Sequence, residues 1–543
     1  MGSLAQNDPV STSEAEDGLD LLTAVLRSIE LSPTLAKQRQ SVESERGALL
    51  VESSTFDTTL SAELESEREV TPLSQSNRLV TGIDDEIVDA WVYGAEVTKT
   101  LRNGMSIDAT VSSTYEDENV FLTPNRVQTG ELDISLTQPL LQGFGRRVTT
   151  ATEDAARLDL RAAEFTLRHA IEEQILSTVQ AYWAYQAAAL VLEVRKLSEA
   201  ATQQLQEKTE VLIEADVVAQ VEGQKLLAEV ASKRVTRIGA MQDLEDARHQ
   251  LGLAMGFDFE AIEALPLPIT EIPGTDLDKL MHALELNSEP LDPSSVLSDV
   301  ESSEPISAQG GLSSLPADGY QEVQAVAPDL SAVLARRHDR LSLLASREAA
   351  IRTMDAAVDT LLPTLDLTVE ATWQWYAQAS DLDSYDPFVG DPSEPGFAAT
   401  LTLSLPVEQS SARGTILEAQ ASQRVTEIEI ADLERTIRAQ TRLAAREVGT
   451  RSAQLGSARA AAAAALMARQ SEERKFELGL STLLDVLNTE DNLVEAALQV
   501  ISAGRDFADA VAELRFQSGL LRPASDGSLD LDRLTAVPEG GAP

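Results

Sequence analysis

The 543-residue chain contains no cysteine, which excludes disulfides, thiolate metal sites and, in this form, a lipidated N-terminal Cys. It also lacks any apolar run of the roughly 20 residues that a helical membrane span needs, so any bilayer crossing would be made by a β-barrel. Cations are scarce: 43 Lys and Arg stand against 89 Asp and Glu, giving a net charge of −46 and a pI near 4.3. That balance speaks against electrostatic binding of nucleic acid or of an anionic membrane surface. It suits an acidic water-filled passage, or plain solubility in a salty milieu. Proline is missing from two long stretches, Leu140 to Leu265 and Val407 to Arg522, and each is entered from a β-like run ending in proline, Pro139 and Pro406. Gaps of that length imply continuous helix, because proline removes a helical hydrogen bond and clashes with the preceding turn.

The helices can be sized from their punctuation. Neither Gly nor Pro occurs from Arg146 to Glu222, so the first arm should run to about Glu214. At 1.5 Å per residue it would reach roughly 100 Å. Leu160, Ala163, Leu167, Ile171, Ile175, Val179 and Tyr182 recur at three- and four-residue spacing and give one buried stripe. Abundant small residues, as in Ala187-Ala188-Ala189 and Ala460 to Ala465, favour close side-by-side packing into a tube or coiled-coil bundle. The return arms align without a gap: Ala247 to Gly256 matches Ala510 to Gly519, and the same register pairs Glu222 with Asp485 and Asp216 with Gly479. Gly479 should break the second hairpin, with Ser481 capping the next helix. The chain therefore reads as an internal duplication with long helical hairpins, an extended architecture rather than a compact pocket.

The strands carry a period of two. Leu365, Leu367, Val369, Ala371, Trp373 and Trp375 alternate with polar residues, and Phe397, Ala399, Leu401, Leu403 and Leu405 do the same. In the first repeat the candidate strands are Phe56 to Glu67, Trp91 to Leu101, Met105 to Tyr115 and Leu132 to Gln138, with Arg102-Asn103-Gly104 as a hairpin turn. Such runs fit tilted barrel strands with lipid outside and water inside, and the aromatics Trp91, Tyr93, Trp373, Trp375 and Tyr376 fit an interfacial girdle. They fit a half-buried soluble sheet as well, and the strands alone do not separate the two.

The domain layout follows: 1–20 as a disordered N-terminal segment, 21–265 as the first repeat, 266–327 as a Pro-, Ser- and acid-rich connector, 328–522 as the second repeat and 523–543 as a disordered tail. Each repeat opens with a helix. The first, Leu21 to Glu52, is interrupted at Ser32-Pro33; its counterpart after Ala327-Pro328 is expected to run about eleven residues longer. Met1-Gly2-Ser3 leads into an acidic stretch without a basic or apolar targeting signature, which reads as a mature or trimmed chain. A search for chemistry returns nothing: four dispersed histidines without ligand spacing, an incomplete Gly143-Phe144-Gly145, no nucleophile elbow and no phosphate loop. No catalysis, cofactor or metal is expected.

Leu136 to Gly145 (LTQPLLQGFG), leading from strand into long helix, resembles the strand-to-helix junction of TolC-type outer-membrane efflux proteins. Gly479 to Asn488 (GLSTLLDVLN) resembles that family's second periplasmic hairpin tip, and the closing Phe507 to Leu520 also fits. The resemblance implies a mainly α protein with β: a homotrimer whose helical hairpins form a periplasmic α-barrel tunnel and whose strands share one outer-membrane β-barrel surrounded by lipid. It implies docking of a periplasmic adaptor protein and an inner-membrane pump or ABC exporter at the helix tips, and no nucleic acid. It places Asp485, Asn488 and Glu222 at the periplasmic aperture. Phe476 and Ser481 match positions where latching members carry a Tyr and an Arg, so that latch is expected to be absent here. Ala215, Asp216, Val217, Leu478, Gly479 and Leu480 become adaptor contacts. Four strand candidates in the first repeat exceed the family's usual two, and the extra pair is expected to lengthen an external hairpin. Outside the resemblance, an elongated soluble coiled-coil scaffold without transport activity also accommodates the helices.

Overall fold

The structure is a computed structural model that describes residues 18–119, 125–214, 219–273, 275, 329–378, 392–478 and 480–522. The chain divides into two compact units: Met1–Gln40, Phe165–Leu341 and Asp432–Pro543 make up one, Ser41–Glu164 and Ser342–Ala431 the other. The helices are α1 (Leu21–Leu31), α2 (Pro33–Ser53), α3 (Gln75–Thr81), α4 (Arg146–Thr149), α5 (Ala151–Glu214), α6 (Gln220–Met255) and α7 (Phe259–Glu263), then α8 (Leu330–Arg336), α9 (His338–Asp359), α10 (Ser410–Glu477) and α11 (Leu483–Gln517). The strands are β1 (Thr58–Pro72), β2 (Asp85–Thr100), β3 (Ser106–Glu118), β4 (Asn125–Pro139), β5 (Thr364–Gln378) and β6 (Gly396–Ser404). The proline-free stretches are mostly helical as expected, and α5 is described through Glu214. Among the described residues no helix is long and apolar enough to cross a membrane.

The first unit is helical. Its core joins Leu21, Ala24 and Val25 of α1 with Ile175, Val179, Tyr182, Trp183 and Tyr185 of α5, Leu251 and Met255 of α6, Leu455 and Ala462 of α10, and Leu493, Val500 and Ile501 of α11. Tyr182 is fully buried, and its hydroxyl donates to the Leu19 carbonyl at 2.7 Å and accepts from the Thr270 amide at 3.0 Å. Leu19 and Pro268 form a short parallel bridge, and Ile272 is 2% exposed within the core. The opening residues of the expected connector thus pack with the first repeat; 274 and 276–328 lie outside the described residues.

The two halves of the chain share a device in this unit. Gly256 ends α6 at φ 80°, and an added Cβ there would lie 2.7 Å from the Leu31 carbonyl, beside the break between α1 and α2. Gly519 follows α11 at φ 66° and packs against Arg336 and Arg337, the break between α8 and α9. Each return arm ends on a glycine because a left-handed residue must press on its own repeat's opening helix. The breaks at Ser32 and Arg337 therefore correspond, and α2 and α9 have 21 and 22 residues. This corrects the expected eleven-residue extension, which came from matching Pro33 to Pro328 instead of matching the breaks. At the second break the buried Arg337 guanidinium donates to Asp339 at 3.0 and 2.6 Å and to Gln517 Oε1 at 3.1 Å, and stacks over the Phe516 ring at 5.1 Å.

The second unit carries one six-stranded sheet in chain order, β1-β2-β3-β4-β5-β6, antiparallel throughout. All four first-repeat candidates are strands of it. The Arg102-Asn103-Gly104 turn is fixed on the junction between β4 and α4: Gly145 N donates to Asn103 O, Arg102 clasps Glu153 with two bonds of 3.0 and 3.1 Å, and its guanidinium lies over Phe56. Gly104, at φ 93°, approaches so closely that a Cβ would fall 2.4 Å from the Gly143 carbonyl. The extra strands, of 16 and 13 residues, are therefore full members of the sheet rather than an external extension. Paired positions share a face, since successive side chains point to opposite sides.

Candidate functional site

Two places in the chain carry the residues singled out above: the two sheet faces and the second helix tip. Register across all six strands collects Leu60 and Leu64, Trp91 and Val97, Ile107 and Val111, Leu132, Ile134 and Leu136, Leu367 and Val369, and Leu401 and Leu403 on one face. The opposite face is polar and acidic. Tyr93, Ser113, Gly130 and Trp375 lie in one row of the apolar face, with Trp91 and Tyr115 paired one step to one side and Trp373 opposite Leu132 one step to the other. Gln128 donates to the Tyr93 hydroxyl at 3.0 Å, so this tyrosine combines an apolar body with a satisfied polar end. Trp91, Tyr93, Trp373 and Trp375 thus form a band, to which the structure adds Tyr115. Tyr376 does not join them: it pairs with Thr129 on the polar face, because its odd-even position is opposite to that of its tryptophan neighbours.

At the second tip, the chain emerges from α10 at Leu478, turns and re-enters at α11. Thr482 is the N-cap: Asp485 N donates to Thr482 Oγ1 at 3.3 Å, and Thr482 N and Oγ1 donate to Asp485 Oδ2 at 3.2 and 2.6 Å. This is a reciprocal capping box. The expected cap, Ser481, lies one residue too early; its hydroxyl donates to Glu472. The Thr482 hydrogen bonds hold the Asp485 carboxyl below the usual carboxylate range, so it is charged at neutral pH.

Thr209 of α5, Glu222 and Lys225 of α6, Phe476 of α10 and Ser481, Leu483 and Leu484 line a cavity of about 480 Å³. The structure therefore brings Glu222, Phe476 and Ser481 together. It does not join them by a latch: Glu222 accepts from Lys225 at 2.8 Å, Ser481 turns to Glu472, and Phe476 has no hydroxyl. Asp485 and Asn488 lie one turn apart on the exposed side of α11, and neither lines the cavity. Leu478 and Leu480 are 55% and 75% exposed. Ala215, Asp216, Val217 and Gly479 lie outside the described residues.

Sequence reasoning missed three polar groups near this tip. Lys233 of α6, nearly buried, pairs with Asp491 of α11 and ties the two return arms. Glu490 beside it is 4% exposed, and burial pushes its carboxyl up to about 7 against the pull of Arg469 and Lys233. Thr482 was legible, since Thr-x-x-Asp before an apolar run is a capping pattern. The burial of one glutamate among 89 acids was not.

Residues 330–520 match the family model described as outer membrane efflux protein. No curated protein sequence matches the chain. Similar solved structures include a membrane protein from Pseudomonas aeruginosa, at 16% identity over 92% of each chain with a TM-score of 0.61. The Campylobacter jejuni CmeC outer membrane channel is similar at 14% identity over 95% of this chain and 90% of its own, TM-score 0.60. The Vibrio cholerae outer membrane protein VceC is similar at 14% identity over 92% and 96%, TM-score 0.59. At these identities the likeness establishes the fold.

Proposed function

We propose that the chain, whose residues 330–520 match the outer membrane efflux protein family model, is a passive exit duct of a tripartite efflux or type I secretion system. Three copies contribute sheets to one barrel in the bacterial outer membrane and helical hairpins to one tunnel in the periplasm. The observation that carries this reading is the two-faced sheet: between the aromatic band and the β4–α4 junction one face is mainly apolar and the other acidic, the Arg68–Asp89 pair and Asp117 lie on the apolar side only beyond the band, and among the described residues both edge strands are unpaired. Open edges are not tolerated in hydrocarbon, so the sheet needs closure.

The layout proposed from the sequence is kept: repeats over 21–265 and 328–522, a connector over 266–327 and terminal segments 1–20 and 523–543. In the trimer, Asp485, Asn488 and Glu222 from three copies surround the periplasmic aperture and favour cations there. Phe476 and Ser481 hold the closed state by packing around the tip cavity instead of by a hydrogen-bonded latch. Ala215, Asp216, Val217, Leu478, Gly479 and Leu480 meet the adaptor, and the inner-membrane pump or exporter sets the substrate range. The duct itself performs no reaction and needs no cofactor.

Single-channel conductance in a planar bilayer tests this, comparing wild type with Asp485→Ala. Steady currents with reduced cation selectivity in the variant are expected. A protein that stays monodisperse without detergent and never inserts would sink the channel reading and favour an elongated soluble scaffold.

A further inference from the structure

The sheet is built differently from what the family resemblance implied, and the difference has a consequence for the pore. The family's usual two strands per repeat would give four strands per copy; the described residues of this chain form six, all in one sheet. The added hairpin lies inside the sheet, with its lower turn locked on the β4–α4 junction, so it cannot fold aside as a loop. β1 and β6 are the two edges and do not pair with each other. Exposure along the apolar face marks where strands are missing. Ile134, Leu136 and Val369, flanked on both sides, are 36%, 40% and 43% exposed, while Leu60, Leu64, Leu401 and Leu403 on the edges are 61–73% exposed.

Because the strands alternate in direction and their number is even, β6 of one copy runs antiparallel to β1 of the next. Joining them continues the apolar face outward and the acidic face inward without a break. We propose that β1 of each copy pairs with β6 of its neighbour, so that three copies close an eighteen-stranded barrel with a wide, acid-lined outer lumen. This rests on the trimeric channel reading and deepens it. At a strand spacing of about 4.8 Å and a tilt of about 40°, eighteen strands give a backbone diameter of about 36 Å, against about 24 Å for twelve. Closure within one copy is excluded by size, since six strands would enclose only about 13 Å between backbones and leave the acidic side chains no water.

The lumen chemistry follows from the register. Every strand from β1 to β5 puts at least two carboxylates on the polar face, with Glu63, Glu65, Glu67 and Glu69 in β1 alone, and among the described side chains of the six strands no Lys or Arg falls on it. β1 is one side of the proposed seam, so its four glutamates would form a vertical stripe beside the neighbour's Thr400 and Thr402. The seam therefore sets Glu against Thr and avoids opposing two acidic strands, which like-charge pairing across strands would destabilise. A lumen of this kind admits bulky cationic or neutral solutes and repels anions.

The cysteine-free chain makes the seam directly testable. Leu401→Cys is combined in turn with Leu60→Cys, Ala62→Cys and Leu64→Cys, all on the outward face, and oxidised in detergent. At least one combination should give a reducible ladder that stops at three chains, and none of the single-cysteine variants should exceed a dimer. Cryo-electron microscopy of the wild-type trimer should count eighteen strands. Twelve strands, or a conducting trimer in which no combination cross-links, would overturn the eighteen-stranded seam and leave the channel reading standing. Absence of both trimer and conductance would overturn both.

Discussion

The two proposed repeats match in register along their helical hairpins and differ in their sheets. α5 and α10 end at the matched residues Glu214 and Glu477, and α6 and α11 begin at the matched residues Gln220 and Leu483. Between opening helix and long arm, however, the first repeat spends residues 54–145 on four strands and the second 360–409 on two. Helices that pack against one another along their whole length cannot gain or lose a residue without rotating the buried stripe by about 100°. An antiparallel sheet can gain a whole hairpin at no such cost, because two strands restore both direction and face. The two proposed repeats are thus rigid where they are helical and extensible where they are β.

Even within the matched helices the filling is unequal, and the largest expected effect tests this. Tyr182, Trp183 and Tyr185 lie in the core, whereas the matched positions of the second repeat are Ala445, Arg446 and Val448. The first repeat supplies bulk and the second supplies room. Trp183→Ala should cost about 4 kcal/mol in denaturant-induced unfolding, the range for truncating a fully buried tryptophan. Val448→Ala should cost roughly a quarter to a half of that. Equal losses would mean that the repeats contribute alike to the core.

The buried acid comes next. Glu490 matches Leu227, which is 62% exposed, so the usual placement of charge and aliphatic side chain is inverted between the repeats. Burial raises the folded carboxyl to about 7, above its unfolded value near 4.5. Its contribution is therefore present below about pH 4.5 and is lost as pH rises through about 7, by on the order of 3 kcal/mol. Glu490→Gln should be more stable than wild type at pH 8 and should flatten that part of the stability profile. Asp509, raised to about 6 by burial, adds a smaller slope of the same sign, which remains in the variant. A profile unchanged by Glu490→Gln would show that the carboxyl stays charged.

How much of this was legible in the chain depended on whether the signal was local. Proline-free runs marked where the long helices lie, since one proline inside them would have broken the backbone ladder. Alternation identified every strand, because period two survives in each strand separately. Which strands were neighbours was not local, and the extra hairpin was misjudged as external for that reason. Its decisive residue is Gly104, whose requirement for a missing Cβ arises from Gly143, far along the chain. The Pro33 to Pro328 match failed similarly: the repeated feature was a helix break under a glycine, and only one of the breaks carries proline. Gly104→Val should cost about 2 kcal/mol through strain at positive φ and contact with Gly143. It should loosen the lower turn of the added hairpin, seen as faster amide exchange at Asn103 to Ser106. The second repeat, having no such turn, should be unaffected.

The smallest effect lies at the tips, where the repeats can be made alike by one side chain. Thr482 caps α11 through a reciprocal box with Asp485; its match, Ala219, has an extended backbone suited to an N-cap and no side-chain bond to make. Glu222 already stands three residues on, so Ala219→Thr would complete a Thr-x-x-Glu box. It should stabilise the first turn of α6 by about 1 kcal/mol, and Thr482→Ala should cost α11 a similar amount. Proteolytic nicking around 215–219 should slow in the first variant and nicking around 478–482 should quicken in the second. Because Glu222 would turn from Lys225 toward the new cap, the first variant should also change cation selectivity if Glu222 lines the aperture as proposed, whereas Thr482→Ala should leave Glu222 in place. A change in nicking with no change in selectivity would keep the capping argument and remove Glu222 from the aperture.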